Sequence, residues 1–296
     1  MDVSIIIVNY NTREYTLNCL RSVFEQTKDV LFEVVLIDNA STDDSGAAVT
    51  REFPQVQFIT NAVNIGFGAA NNIGIRRTRG KYVFLLNSDT VLLNNSVKFF
   101  LDFMEDGNNG KIGCCGTVLL NEDRSIQASS GHFPSVRQVI FDQFELRRIF
   151  RRYYQENLAV ASVDSHPAFK AVPYVSGASM FFRRSALESA GVFDEDFFLY
   201  FEETELCFRM KRAEIPIVVV LEPKIVHYFG KSSSGYSLRR LQMYKRSELL
   251  FFEKCYGSAT KYIVVSIYIV GSLIRLLLTW DRKHLETLKI ILREIL

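Results

Sequence analysis

Asn87-Ser88-Asp89 follows directly on Tyr82-Val83-Phe84-Leu85-Leu86, an apolar run of strand type. In an open α/β sheet, ligands bind just beyond the carboxyl ends of strands. A carboxylate at that point, with an amide two residues before it, suits a hard divalent cation that also grips a diphosphate. An Asp there equally suits the N-cap of the next helix. A second group of chemically capable residues comprises Asp194, Glu195, Asp196, Glu202, Glu203 and Glu205, set among Phe193, Phe197, Phe198, Tyr200 and Phe201. Carboxylates fit the first turn of a helix, where they meet its dipole. An apolar wall also raises a carboxyl pKa and improves it as a proton acceptor, which favours a general base in this stretch. His227 ends the apolar segment Lys224 to His227. A histidine there suits a packed core position, or a ligand to a manganese-type ion beside carboxylate and phosphate oxygens.

These residues need elements to hold them. Val3 to Val8, Phe32 to Ile37, Val56 to Thr60 and Lys81 to Leu86 read as strands. Helical spacing of apolar residues over Tyr15 to Gln26, Ser45 to Phe53 and 69–79 separates them. This βαβαβαβ alternation predicts a mainly parallel, Rossmann-like sheet with helices on both faces. Three strands end in polar turns, at 9–12, 38–43 and 87–90, which would gather on one edge. Beyond about residue 110 the alternation fades. A basic amphipathic helix is expected over 137–154, a loop entering a strand at Pro173 to Phe182, a helix through Arg212, and strands at Ile217 to Leu221 and Lys224 to His227.

With 296 residues, 48% of them hydrophobic, the chain can bury a large core, and no tract has a disordered composition. Net charge is only +2 but unevenly spread. From Lys231 onward there are twelve Lys or Arg and five acids, so the tail carries +7 and the remainder −5. Within that tail, Tyr262 to Ile274 is a thirteen-residue apolar run followed by Arg275 and Leu276-Leu277-Leu278-Thr279-Trp280. A basic, apolar tail points to an anionic membrane surface, and no recognised nucleic-acid motif accompanies it. The run reaches a membrane-spanning length only by including Arg275. It suits a span, an interfacial helix with Arg275, Trp280 and Arg282 at headgroup level, or a buried core helix. The five cysteines form no CxxC pair and suit a reducing compartment. The start of the chain enters a strand without a basic n-region, so no secretory leader is expected. Asn64-Ile65-Gly66-Phe67-Gly68 lacks the GxGxxG spacing, which disfavours a dinucleotide-dependent oxidoreductase.

Five segments in order resemble the inverting family-two glycosyltransferases, most closely the bacterial rhamnosyltransferase-like branch that builds surface glycans. They are Val3–Asn11, Asp38–Asp43, Asn64–Asn72, Asn87–Thr90 and Phe198–Glu205. The resemblance covers about residues 1–230 and implies the A-type nucleotide-sugar fold, with 1–115 as the nucleotide-sugar half, 116–230 as the acceptor and base half, and 231–296 as a helical membrane-associating tail. It implies a UDP- or dTDP-type sugar donor, a Mg²⁺ or Mn²⁺ ion, a lipid-linked glycan acceptor and a site at the cytoplasmic face of the bacterial inner membrane. Tyr10 would flank the base, Asp38 and Asn39 would contact base and ribose, and Asn64 and Gly66 would line the nucleoside pocket. Asn87 and Ser88 would lie at the donor, and Asp89 would be the main metal ligand. Asn87 stands where the family's Asp-x-Asp motif has its first Asp, which weakens the case for residue 87 as a direct ligand. His227 would lie near the metal and phosphates. Glu203 takes the position of the family's base, usually an Asp, and Glu202 is the alternative. Such a transfer needs a cation to stabilise the departing diphosphate and a carboxylate to take the acceptor's proton. Two neighbouring readings are transfer to a polyprenyl phosphate itself and a catalytically weak sugar-nucleotide-binding assembly partner.

Overall fold

The computed structural model describes residues 1–144, 146, 169–228, 238–279 and 282–293. The N-terminal half alternates as expected. Strand β1 (Val3–Asn9), helix α1 (Arg13–Gln26), β2 (Phe32–Asp38), α2 (Ser45–Glu52), β3 (Gln57–Thr60), α3 (Phe67–Arg77) and β4 (Tyr82–Asn87) follow one another. The strands lie parallel in the order β3-β2-β1-β4. Their near-continuous Ile, Val and Leu runs are what a sheet covered on both faces requires. Successive side chains point to opposite faces. Ile5, Ile7, Val34, Leu36 and Phe84 therefore enter one core, while Ile6, Val83 and Leu85 enter the other. Register aligns Asn9 with Asp38 and Val8 with Asn87, so the polar strand ends meet at one level.

After β5 (Thr90–Leu92) and α4 (Ser96–Glu105) come β6 (Cys114–Leu120), β7 (Ile126–Gln127), β8 (Ser130–Gly131) and α5 (Val136–Gln143). Then follow β9 (Phe169–Ala171), β10 (Tyr174–Val175), β11 (Ser179–Arg183), α6 (Arg184–Ala190), α7 (Glu202–Arg212) and β12 (Ile217–His227). The sheet continues from β4 through β11, β6, β12 and β5. Strand β11 runs antiparallel to both neighbours, and β12 is parallel to β6 but antiparallel to β5. The two short strands expected over 217–227 are one strand with a register shift between Val220 and Ile225. Pro223 cannot donate to a ladder, and the Thr117 hydroxyl donates to the Val220 and Pro223 carbonyls at 3.0 and 2.6 Å. Of the expected basic helix over 137–154, α5 accounts for the start. Arg147, Arg148, Arg151 and Arg152 lie outside the described residues.

The tail consists of α8 (Leu238–Tyr256), α9 (Ser258–Thr279) and α10 (Arg282–Arg293), and it packs onto the sheet domain. Phe251 of α8 shares a core with Phe197 and Phe201. Val264, Val265 and Tyr268 of α9 join Leu249, Phe252, Val139 and Ile291. Gly271 lets α5 approach closely, since a Cβ there would stand 2.2 Å from Gln143. Among the described residues α9 is the one helix long and apolar enough to cross a membrane. One face is taken up by protein. The opposite face shows Tyr262, Ile263, Val270, Leu273 and Ile274, with Leu277 and Leu278 over three-quarters exposed. Arg275 donates to the Asp142 carbonyl at 2.9 Å. Trp280 lies outside the described residues.

Candidate active site

A cavity of about 300 Å³ opens at the level where the β1, β2 and β4 ends meet. Tyr10, Asn39, Asn64, Gly66, Asn87, Ser88, Asp89, Glu202, Glu203 and His227 all line it. Asp38 does not. Its carboxylate accepts from the Asn9 side-chain amide at 2.7 Å and the Ser41 backbone amide at 3.1 Å, which fixes the turn that follows β2. Asn39 is equally occupied. Its Nδ2 donates to Asn64 Oδ1 (2.9 Å) and the Gly66 carbonyl (3.1 Å), and its Oδ1 accepts from Ile65 N (3.1 Å). The 64–66 turn is thereby fixed. Gly66 is required there, with φ +92° and a Cβ that would fall 2.5 Å from the Phe198 carbonyl oxygen. Tyr10 is 44% exposed at the rim, free to lie against a planar base. Ser88 is held by the Thr12 hydroxyl at 2.9 Å.

At the cavity floor, Asp89 Oδ1 lies 3.3 Å from His227 Nε2. Pairing of His227 with Thr90, together with the Tyr228 N–H to the Asp89 carbonyl at 2.9 Å, brings β12 to this turn. Gln127 orients the imidazole. Its Nε2 donates to Asn121 Oδ1 at 2.9 Å and to the His227 carbonyl at 3.3 Å, so its Oε1 faces His227 Nδ1 at 2.7 Å. Gln127 Oε1 thus accepts from Nδ1, leaving Nε2 directed at the Asp89 carboxylate. An imidazole nitrogen and a carboxylate oxygen so close together are donors of the kind a divalent cation takes. Asn87 Oδ1, buried and without a partner, adds a third hard donor nearby on the cavity wall. The set suits a divalent ion that takes its remaining ligands from water and phosphate oxygens, as Mg²⁺ and Mn²⁺ do. Among the described residues no group of three or more His, Cys, Asp or Glu converges. Cys19 sits beneath the turn, where burial pushes its thiol up to about 12.

The acidic stretch divides in two. Asp194 and Asp196 pair with Lys254, Glu195 pairs with Arg76, and Glu205 pairs with Arg209. None of these four lines the cavity, whereas Glu202 and Glu203, in the first turn of α7, do. Each leaves its Oε2 buried without a hydrogen-bond partner. Burial pushes both carboxyls above their ordinary range. Glu202, only 4% exposed, is raised well above it, with the neighbouring Glu203 charge adding to the effect. The turn that aims them is strained, for Tyr200 and Phe201 both have left-handed φ, +71° and +67°. Such conformations persist only when surrounding structure imposes them. Here α8 does so. Ser247 donates to the Leu199 carbonyl at 2.8 Å, and Tyr244 lies edge-on to both rings.

The expectations missed Gln127, which sits 100 residues from its histidine partner, and Arg240, a tail residue that lines the cavity. Neither stands in a motif, so no signal in the sequence could have found them. Residues 4–191 match the family model "Glycosyl transferase family 2". Over 234 residues the chain is 26% identical to the N-acetylglucosaminyl-diphospho-decaprenol L-rhamnosyltransferase of Mycobacterium tuberculosis, covering 74% of this chain and 73% of that protein. It is 25% identical over 220 residues to the low-salt glycan biosynthesis hexosyltransferase Agl10 of Haloferax volcanii, covering 73% and 64%. A mannosyltransferase of Pyrobaculum calidifontis in complex with GDP-Man and Mn²⁺ aligns with TM-score 0.58 at 17% identity, over 99% of this chain and 84% of that one. GalNAc-T7 with UDP, GalNAc and Mn²⁺ aligns with TM-score 0.60 at 16% identity, over 83% of this chain, which spans about half (47%) of that one. At those identities the structures speak for the fold. The segment matched by the family model is more than half of the chain. The chain belongs to glycosyl transferase family 2.

Proposed function

We propose that the protein is a metal-dependent, inverting glycosyltransferase that moves a sugar from a UDP- or dTDP-type donor to a lipid-linked glycan at the cytoplasmic face of a bacterial inner membrane. One observation carries this reading. The partnerless oxygens of Asn87, Glu202 and Glu203 and the Asp89–His227 pair share one cavity. Buried polar groups are ordinarily satisfied, and leaving them unpaired costs about 1–3 kcal/mol each. A ligand that donates to the carboxylates and brings a cation to the pair satisfies them.

In this reading Tyr10, Asn64 and Gly66 hold the nucleoside. Asp89 and His227 hold a Mg²⁺ or Mn²⁺ ion, whose chemistry is to neutralise charge on the departing diphosphate. Glu203 faces the acceptor and takes the hydroxyl proton as the oxygen bonds to the anomeric carbon and the bond to the diphosphate breaks. Glu202, the more deeply buried, keeps a proton. Attack from the Glu203 side, opposite the leaving group, inverts the anomeric centre. The relative that acts on a diphospho-decaprenol acceptor supports the lipid-linked substrate, and the exposed apolar stripe of α9 supports contact with a membrane. Asp89→Ala tests the core of this reading. It should abolish the Mn²⁺-dependent thermal shift given by a UDP- or dTDP-sugar, and an unchanged shift would count against the assignment.

A further inference from the structure

We propose that α9 does not cross a membrane but lies flat along an anionic bilayer surface, one stripe in the acyl boundary and the other held to the protein. This rests on the membrane contact of that reading and not on sugar transfer. By length and composition α9 is able to span, but its packing is that of a helix lying flat. A spanning helix gives its whole circumference to hydrocarbon or to other spanning segments. Here Val264, Val265, Tyr268, Gly271 and Ser272 are buried against α8, α5 and α10.

Polar groups hold that inner stripe. The Tyr268 hydroxyl donates to Glu248 Oε2 at 2.8 Å. Lys245 Nζ donates to the same carboxylate at 2.8 Å and to the Tyr268 oxygen at 2.7 Å. Gln143 of α5 donates to Ser272 Oγ at 3.4 Å and to the Tyr268 carbonyl at 3.5 Å. With Arg275 on the Asp142 carbonyl, the inner contacts run from residue 264 to residue 275, about 16 Å of helix. To cross, α9 would have to abandon them all, or carry a Lys–Glu pair and helices of the sheet domain into hydrocarbon, where ionised groups are costly.

The outer stripe has the opposite chemistry. Ile263, Val270, Leu273, Ile274, Leu277 and Leu278 are 41–78% exposed. Ser266 falls among them, but its hydroxyl donates to the Tyr262 carbonyl at 2.8 Å and asks nothing of a partner. None of the exposed positions from 262 to 278 is charged. Both stripes follow the length of the helix, so its axis is parallel to the protein surface and to whatever covers the outer stripe. An interfacial helix has this geometry, its apolar face sinking about 5–10 Å into the headgroup and acyl boundary. Charge selects the partner. From Lys231 onward the chain has twelve Lys or Arg against five acids. Anionic headgroups complement that excess, whereas a second copy would bring an equally positive tail against it.

The test reads depth, not activity. Full-length protein carries one nitroxide, at Ile263→Cys, Val270→Cys or Leu277→Cys, with Cys255→Ser removing the one cysteine that is not buried. These three positions lie on the exposed stripe, so the labels leave the packed face untouched. Oxygen and nickel accessibilities are measured on vesicles of phosphatidylglycerol and phosphatidylcholine. All three labels should sit at one depth, about 5–10 Å below the phosphates. Binding should weaken by about tenfold or more on phosphatidylcholine alone or in high salt. In a span, each step between labels moves about 10 Å along the bilayer normal, so unequal depths overturn the proposal. Labels that stay in water overturn it too, and a dimer by light scattering would then give the stripe to a second copy. Binding that ignores lipid charge likewise overturns it. Absence of sugar transfer in the same preparation would count against the transferase reading and leave these depths as they are.

Discussion

Replacing Glu202 by Gln should make the protein more stable at neutral pH. Glu202 is 4% exposed, its Oε2 has no partner, and its neighbour Glu203 is a second buried carboxyl. Burial and the Glu203 charge raise its pKa in the folded state. A carboxyl raised on folding binds its proton more tightly in the native than in the unfolded chain, so its contribution is fully present below the unfolded pKa. That contribution falls as pH rises from the ordinary value of 4.5 toward the raised one. At pH 7 the penalty has a ceiling of about 3 kcal/mol, the cost of keeping a proton on an otherwise ordinary carboxyl. Gln keeps the shape and never ionises. The expected gain is therefore about 1–3 kcal/mol at pH 7, shrinking toward zero near pH 4. For a chain of this size that is roughly 2–4 °C in Tm per kcal/mol. Thermal melts of both proteins from pH 4 to pH 8 read the difference. A gain that does not vary with pH, or a loss at pH 7, would refute the argument that Glu202 is a buried, unpaired acid.

Glu203→Gln should leave donor binding intact while turnover falls by on the order of 10²–10⁴; near-normal turnover would move the base elsewhere. Gln127→Leu should lower Mn²⁺ affinity by about 10–100-fold, the usual cost of losing a group that orients a metal-bound histidine. Gln127→Glu, which still accepts from Nδ1, should retain the affinity, as read by Mn²⁺ electron paramagnetic resonance and by the ¹⁵N tautomer signature of His227. Leu277→Asp with Leu278→Asp should weaken binding to anionic vesicles without lowering Tm, since both side chains are over three-quarters exposed; unchanged sedimentation with vesicles would remove the membrane role of that stripe.

The sequence by itself determined the elements of the N-terminal half and the edge of the sheet where the polar strand ends would gather. Apolar runs between polar turns dictate parallel strands, and strands that must pair in register bring the turns at Asn9, Asp38 and Asn87 to one edge. Such patterns are local, with periods of 2 and 3.6 residues, and can be read within a short window. What the tertiary structure decided is a matter of contacts between distant segments. It tied the Asp38 carboxylate to Asn9 and Ser41 across neighbouring strand ends. It separated Glu202 and Glu203 from four neighbouring acids that ion pairs take up, a distinction that spacing along the chain cannot carry. It joined the segments read as strands 217–221 and 224–227 into one strand around Pro223. It also drew Gln127 onto His227 and brought α8 against the Leu199–Phe201 turn, so that a tail with the composition of an appendage braces the residues that aim the two carboxylates. Side chains a hundred residues apart meet only through the packing of whole elements, and no stretch of sequence records that packing.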